Sequence, residues 1–356
     1  MSQSLPPATA ALVDERIHWL DAEIEAALCS GASAPRLYDI ARYHLGWRDE
    51  ALRPLPEHQQ REFGGKRLRG VLCILAGEAV GGRGEDVAPA GAAIELIHNF
   101  SLVHDDVEDG DEERRHRPTV WKLWGVPHAV NVGSHMQALV NVATLRLAQR
   151  GQRAETVVAV LRVITRAILR MTEGQYLDMA AQDEESVTLD AYFEMTGGKT
   201  AALVEAALRV GVLIGGGNED QVEVLGRFGR EFGLAFQARD DYLGIWGEPE
   251  RTGKPVGSDI LRGKRSLPVV YALAQPPLPI PITSGGQDYP LRQALRERDV
   301  PTVMHALERL GTKEFVGEVV ERHTVAALAS LAAAQVENPY GRAIAAIARY
   351  ALGRES

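Results

Sequence analysis

The sequence is poor in cysteine. Cys29 and Cys73 are the only two, too few for a disulfide framework, and this suits a reducing cytoplasm. Both read as small buried hydrophobes, Cys29 in an amphipathic stretch and Cys73 in the run Val71-Leu72-Cys73-Ile74-Leu75. Long apolar runs are missing as well. None reaches the roughly 18 residues that a membrane-spanning helix needs, so any membrane contact is peripheral. Positive charge is not in excess. A net charge of -9 argues against a nucleic-acid binder. It leaves phosphate ligands open, because a site can be locally basic or recruit metal ions within an acidic protein. Residues 1–11 lack a basic segment followed by an apolar one, so they do not read as a signal peptide. Strand signals are scarce, since no alternating run is bounded by hairpin dipeptides, and there is no repeat of fixed period.

What the sequence does contain is helix after helix. The 356 residues are 45% hydrophobic and 24% charged, ordinary for a globular protein. Residues 1–11, with Pro6-Pro7, read as a loose tail. Apolar residues at helical spacing predict helices over 12–28 and 68–80, and a long one ending near Asp109. Further helices are predicted over 129–149, 154–181, 189–214, 221–245 and most of 291–352. Gly215-Gly216-Gly217-Asn218 is a break. Residues 247–257 and 275–289, rich in proline and glycine, read as irregular. The expectation is an all-α fold: one domain over 12–356, its long and mostly antiparallel helices packed around a central cavity.

Acidic residues collect at two helix ends. Asp105-Asp106-Val107-Glu108-Asp109 closes one apolar helix, and Asp105 and Asp109 share a face at a spacing of four. A solvated helix end is the bland explanation. It is disfavoured because acids at a C-terminus oppose the macrodipole. Carboxylates with an open side suit Mg²⁺, which takes few protein oxygens and completes its shell with water and phosphate. Asp240-Asp241 ends a second apolar helix in the same way, but Gly244 stands one turn later where another acid would extend the wall.

Basic residues accompany them. Arg114-Arg115 follow the first cluster and can clamp phosphate oxygens. Gly64-Gly65-Lys66-Arg67-Leu68-Arg69 opens a helix, where glycine permits close backbone approach and free N–H groups favour an anion. Lys66 and Arg69 fall on one helical face. Lys254 and Lys264 come late in the chain and can reach a diphosphate. Lys199-Thr200 and Gln175-Asp178 interrupt apolar helices, although a lone Lys199 is more often a snorkelling surface lysine.

Taken together over residues 63–268, this set resembles the trans-isoprenyl diphosphate synthase, or polyprenyl synthetase, family. Asp105-Asp106-Val107-Glu108-Asp109 is similar to the family's first aspartate-rich motif, and Asp240-Asp241 to the start of the second. The resemblance implies the isoprenoid-synthase fold and a homodimer. It implies Mg²⁺, three ions per site with Mn²⁺ as a substitute, bound by Asp105, Asp109 and Asp240 with Asp106 and Asp241 supporting. It implies that Arg114, Lys199, Thr200, Gln237, Lys254 and Lys264 hold an allylic diphosphate. Lys66, Arg69, His98 and Arg115 would hold isopentenyl diphosphate. Gly244 departs from the family pattern, which usually has aspartate there, and this puts the third metal site in doubt. Phe100 and Ser101, about one turn before Asp105, are implied to set product length. One bulky and one small residue resemble the C20 pattern, with C15 and C25 as neighbours. Two other classes compete: a class I terpene cyclase, whose usual second motif is not found at Asp240, and a non-catalytic partner subunit of a synthase.

Overall fold

The computed structural model describes residues 5–29, 33–183, 187–249, 255–275 and 291–353. It is an all-α structure. The helices are α1 (Pro7–Leu28), α2 (Pro35–His44), α3 (Glu57–Phe63), α4 (Leu68–Ala79) and α5 (Gly84–Glu108). A small hairpin follows, β1 (Glu113–Arg114) with β2 (Arg117–Pro118). Then come α6 (Val120–Trp124), α7 (Val126–Gln149), α8 (Ala154–Asp183), α9 (Leu189–Thr196), α10 (Ala202–Gly215) and α11 (Glu219–Trp246). The remainder is α12 (Ser258–Arg262), α13 (Leu267–Ala274), α14 (Leu291–Glu297), α15 (Val300–Arg309), α16 (Thr312–Ala333) and α17 (Pro339–Leu352).

The central helix is α4. Its residues from Gly70 to Ala79 are all buried, including Glu78. A helix apolar on every side must be surrounded, and α5, α10 and α17 surround it. Glu78 is satisfied by Arg16 of α1, whose Nε donates to Oε2 at 2.9 Å. The helix α5 also packs on α7, and α11 on α10 and α16. The ends of α5 and α11 are therefore placed by the core rather than by loops. At the start of α11, Asn218 accepts from the Gln221 backbone and Gln221 returns the bond, a capping box reinforced by Glu219 and Asp220 in the first turn.

The structure departs from the sequence expectations in four places. The tail is shorter than predicted, because Pro7 begins α1 and proline suits the first helical position. The predicted helix over 189–214 is interrupted by a π-turn at Gly197–Ala201. A hairpin interrupts the all-helical pattern at Arg114. Cys29 is exposed, at the end of α1, whereas Cys73 is buried as expected, and both are free thiols. Most of the predicted irregular stretch 275–289 lies outside the described residues. Among the described residues no helix is long and apolar enough to cross a membrane.

Candidate active site

A cavity of about 230 Å³ opens between the ends of α5 and α11. Asp105, Asp109 and Arg114 line it on one side, Gln237, Asp240 and Asp241 on the other, with Lys199, Thr200 and Lys264 between them. The two acidic helix ends thus face a common space. Asp178, Arg265, Tyr192, Asp111 and Arg262 line it too, and no sequence motif had marked the last three.

Each acid sits differently. Asp105 is half-buried, and burial pushes its carboxyl up to about 7, while Lys199 pulls it down and Asp109 and Glu108 push it further up. Asp109 is raised chiefly by burial as well. Asp106 points away from the cavity and accepts from Arg114 Nε at 2.6 Å. Its burial holds it at about 6 in spite of that arginine. On the opposite wall Asp240 is exposed and Asp241 is 6% exposed. Asp241 accepts from Tyr192 Oη and the Leu267 backbone at 2.7 Å each, and from Gln237 Nε2 at 2.9 Å. Burial still raises it to about 7.

These raised values set a pH dependence. An acid whose folded pKa lies above its ordinary value stabilises the fold while protonated, and that stabilisation is lost as pH rises through the folded pKa. Asp105 and Asp241 move from 3.8 to about 7. The ligand-free protein should therefore lose thermal stability as pH rises from roughly pH 4 to about pH 7, and a divalent cation, which favours the carboxylates, should restore it. Melting curves across that window with a chelator, then with Mg²⁺ and inorganic diphosphate, measure both effects. A midpoint that climbs with pH in chelator would contradict the assignment.

Lys199 is placed by close backbone packing. The π-turn carries it against α8, where a Cβ on Gly174 would sit 2.8 Å from the Lys199 Cα. Such π-turns recur at functional sites. Its ammonium pairs with Asp178. Burial works to lower the Lys199 pKa, but Asp178 and Asp105 outweigh it and the net shift is upward. The snorkelling-surface reading of Lys199 is thus replaced by a cation inside the cavity. Thr200 Oγ1 donates to Gln237 Oε1 at 2.8 Å, tying the π-turn to α11.

Arg114 and Arg115 sit at the turn of the hairpin. Arg115 and His116 have φ of 54° and 60°, so the two-residue turn fits type I′, a hairpin geometry that normally selects asparagine and glycine. Left-handed backbone costs about 1–2 kcal/mol per residue. The contacts around the turn offset it. Arg115 Nη1 donates to the Phe63 carbonyl at 3.1 Å, and the Arg117 guanidinium lies 4.0 Å from the Tyr43 ring centroid. Arg114 lines the acidic cavity and also, with Arg115, a smaller pocket that His44, Phe63 and Arg117 share. Burial first, then Arg67 and Arg114, lowers Arg115 to about 10. Arg69 Nη1 and His98 Nε2 lie 3.4 Å apart, and burial together with Arg69 and Arg115 holds His98 well below its ordinary value. Arg69 and His98 thus form one basic group. Lys66 is exposed, with its ammonium 5.8 Å from the Tyr350 ring centroid. Lys254 lies outside the described residues.

From the turn before Asp105, Leu102 lines the acidic cavity. Phe100 and Ser101 lie outside that lining, nearer the start of α5. Phe100 is 3% exposed, its ring 6.0 Å from that of His104. Gly244 is not an empty ligand position. A Cβ built there would lie 2.5 Å from the Asp259 Cγ, and Ser258 Oγ donates to the Gly244 carbonyl at 3.2 Å. The notch receives α12.

The donors at the cavity are oxygens of carboxylates. Among the described residues no group of three His, Cys, Asp or Glu side chains is gathered tightly enough to hold a metal ion alone. That fits a hard cation whose shell is completed by water and phosphate oxygens, and it does not fit a cage of protein ligands.

The polyprenyl synthetase family model matches residues 55–278. The chain is 43% identical over 240 residues to (2E,6E)-farnesyl diphosphate synthase of Mycobacterium bovis, covering 67% of this chain and 64% of that protein. It is 40% identical over 295 residues to a short chain isoprenyl diphosphate synthase of Methanothermobacter thermautotrophicus, covering 82% and 87%. The crystal structure of geranylgeranyl pyrophosphate synthetase from Pyrococcus horikoshii superposes with a TM-score of 0.82 at 31% identity over 98% of both chains. The match to the mycobacterial protein thus spans less than two thirds of its length.

Proposed function

The chain belongs to the polyprenyl synthetase family, and on that premise we propose that it elongates allylic diphosphates with isopentenyl diphosphate to a short all-trans product. The observation that carries this reading is the single cavity in which two acidic helix ends face each other across Lys199, Lys264 and Arg114. That is a site for a polyanion together with cations. The second basic group, Arg69, His98 and Arg115, supplies a place for the other diphosphate.

Asp105, Asp109 and Asp240 would hold Mg²⁺, with Asp106 and Asp241 supporting from behind. Magnesium bound there supplies positive charge to a departing diphosphate. Lys199 and Lys264 add their own charge to the same group as its C–O bond breaks. The allylic carbon then accepts the double-bond electrons of isopentenyl diphosphate, a new C–C bond forms, and a proton leaves to the released diphosphate. Asp106 holds Arg114 in position, and Tyr192 with the Leu267 backbone orients Asp241. The buried walls keep water from the cation.

Geranylgeranyl diphosphate is the product favoured by the pairing of Phe100 with Ser101, with C15 or C25 as the neighbouring outcomes. Incubating the purified chain with Mg²⁺, isopentenyl diphosphate and farnesyl diphosphate, then chromatographing the dephosphorylated product, tests this. A C20 alcohol is expected. Phe100→Ala should shift the product to greater length, at a stability cost of about 3–5 kcal/mol for the cavity it opens. An unchanged product would remove Phe100 from control of chain length. A homodimer and a cytoplasmic location complete the proposal.

A further inference from the structure

One ion pair crosses the cavity mouth. Arg262, the last residue of α12, reaches Asp111, just beyond the end of α5. Its Nη2 lies 3.0 Å from Oδ1 and its Nη1 donates to Oδ2 at 3.2 Å. The pair is bidentate and joins the two acidic walls, which are 151 residues apart in sequence. Both side chains line the cavity beside Asp109 and Lys264.

The two partners are held unequally. The Asp111 carbonyl accepts from Thr119 Oγ1 at 2.9 Å and from Trp121 Nε1 at 2.8 Å. Its amide donates to the Asp106 carbonyl at 2.9 Å. Asp111 is therefore a fixed post. Arg262 has a long stem, a side chain 40% exposed, and Gly263 after it at φ 71°. A pair exposed to that degree is weak. A guanidinium fork donates to phosphate oxygens in the same geometry as to a carboxylate.

Resting on the reading of this cavity as a diphosphate site, we propose that Arg262 is a further diphosphate ligand. Asp111 holds it at the mouth until the substrate's phosphate oxygens replace the carboxylate. The empty site keeps its mouth bridged and the filled site gains a cation. Asp111 thereby lowers affinity for the ligand, and Arg262 raises it.

A brace that merely holds the walls together predicts the same sign for loss of either partner. The exchange predicts opposite signs. Calorimetric titration of the full chain with inorganic diphosphate in saturating Mg²⁺ separates them. Asp111→Asn keeps the backbone bonds to Thr119 and Trp121, and should bind about 3- to 10-fold more tightly, whereas Arg262→Gln should bind about 10-fold more weakly. In the double variant the gain from Asp111→Asn should vanish. Arg262→Lys should recover part of the affinity, and Arg262→Gln should raise KM for the allylic substrate more than it lowers kcat. Weaker binding in both single variants overturns the proposal. An equal gain from Asp111→Asn with and without Arg262 also overturns it, as a simple field effect. Because the titration reads binding directly, this pattern can stand even if the wild-type chain elongates nothing, an outcome that would sink the parent reading alone.

Discussion

Asparagine at position 105 should abolish most turnover while making the ligand-free protein more stable. The two effects share one cause. Burial drives the Asp105 carboxyl up to about 7, so near neutral pH the fold carries the cost of a charge it holds poorly. Asparagine has the same shape and no charge, and removes that cost. The same substitution removes a charged oxygen facing the cavity. Loss of one electrostatic element of this kind lowers kcat by about 10²–10³-fold. Melting curves at pH 8 in chelator should show the Asn variant above the wild type, and the gap should narrow below about pH 7 and close near pH 4. Steady-state rates should show the loss in kcat at saturating Mg²⁺. A variant less stable at pH 8 and as active as the wild type would mean that Asp105 is a structural helix end. Trading stability for function is what a preorganised site does.

Restoring an acid at position 244 should harm the protein. Comparison with the family pattern invites the opposite expectation, since Gly244 looks like a lost ligand. In the structure that space is occupied by the Asp259 carboxyl, 2.5 Å from where a Cβ would be. Gly244→Asp pushes the buried Asp259 carboxyl aside and sets a new carboxylate against it and the nearby Asp241. Overpacking at such a contact costs about 1–3 kcal/mol, and Asp259 belongs to α12, which carries Arg262 at the cavity. Gly244→Ala should cost less than Gly244→Asp, because it adds only a Cβ and alanine gains about 1 kcal/mol over glycine in a helix. Asp259→Ala in the Gly244→Asp background should recover stability, a coupling expected only of residues in contact. Chemical denaturation of the two single variants and the double variant measures it. A Gly244→Asp chain that was both stable and faster would show that the notch is a decayed ligand site after all.

The long helices were legible because their apolar periodicity is long, as over 221–245, where the structure has α11 (Glu219–Trp246). The acidic walls were legible for a related reason: carboxylates at the end of an apolar helix conflict with both burial and dipole, so they announce a function. Much else at the site was not legible. The hairpin escaped because its turn is Arg115-His116, residues that ordinarily avoid positive φ, and only the packing of Arg114, Arg115 and Arg117 sustains it. The π-turn at Lys199 escaped because one extra residue in a helix leaves the apolar pattern nearly unchanged. Tyr192, Asp111 and Arg262 are single polar residues from distant parts of the chain, and only the fold brings them together.

The most direct test of the central claim is elongation itself. Purified chain, labelled isopentenyl diphosphate and each of dimethylallyl, geranyl and farnesyl diphosphate are incubated with Mg²⁺ and, in parallel, with a chelator. The expected result is transfer of label into a longer, acid-labile diphosphate with at least one primer, lost in chelator and lost in Asp105→Asn. Label remaining in isopentenyl diphosphate with every primer, at full Mg²⁺ and with the chain folded, would contradict the account.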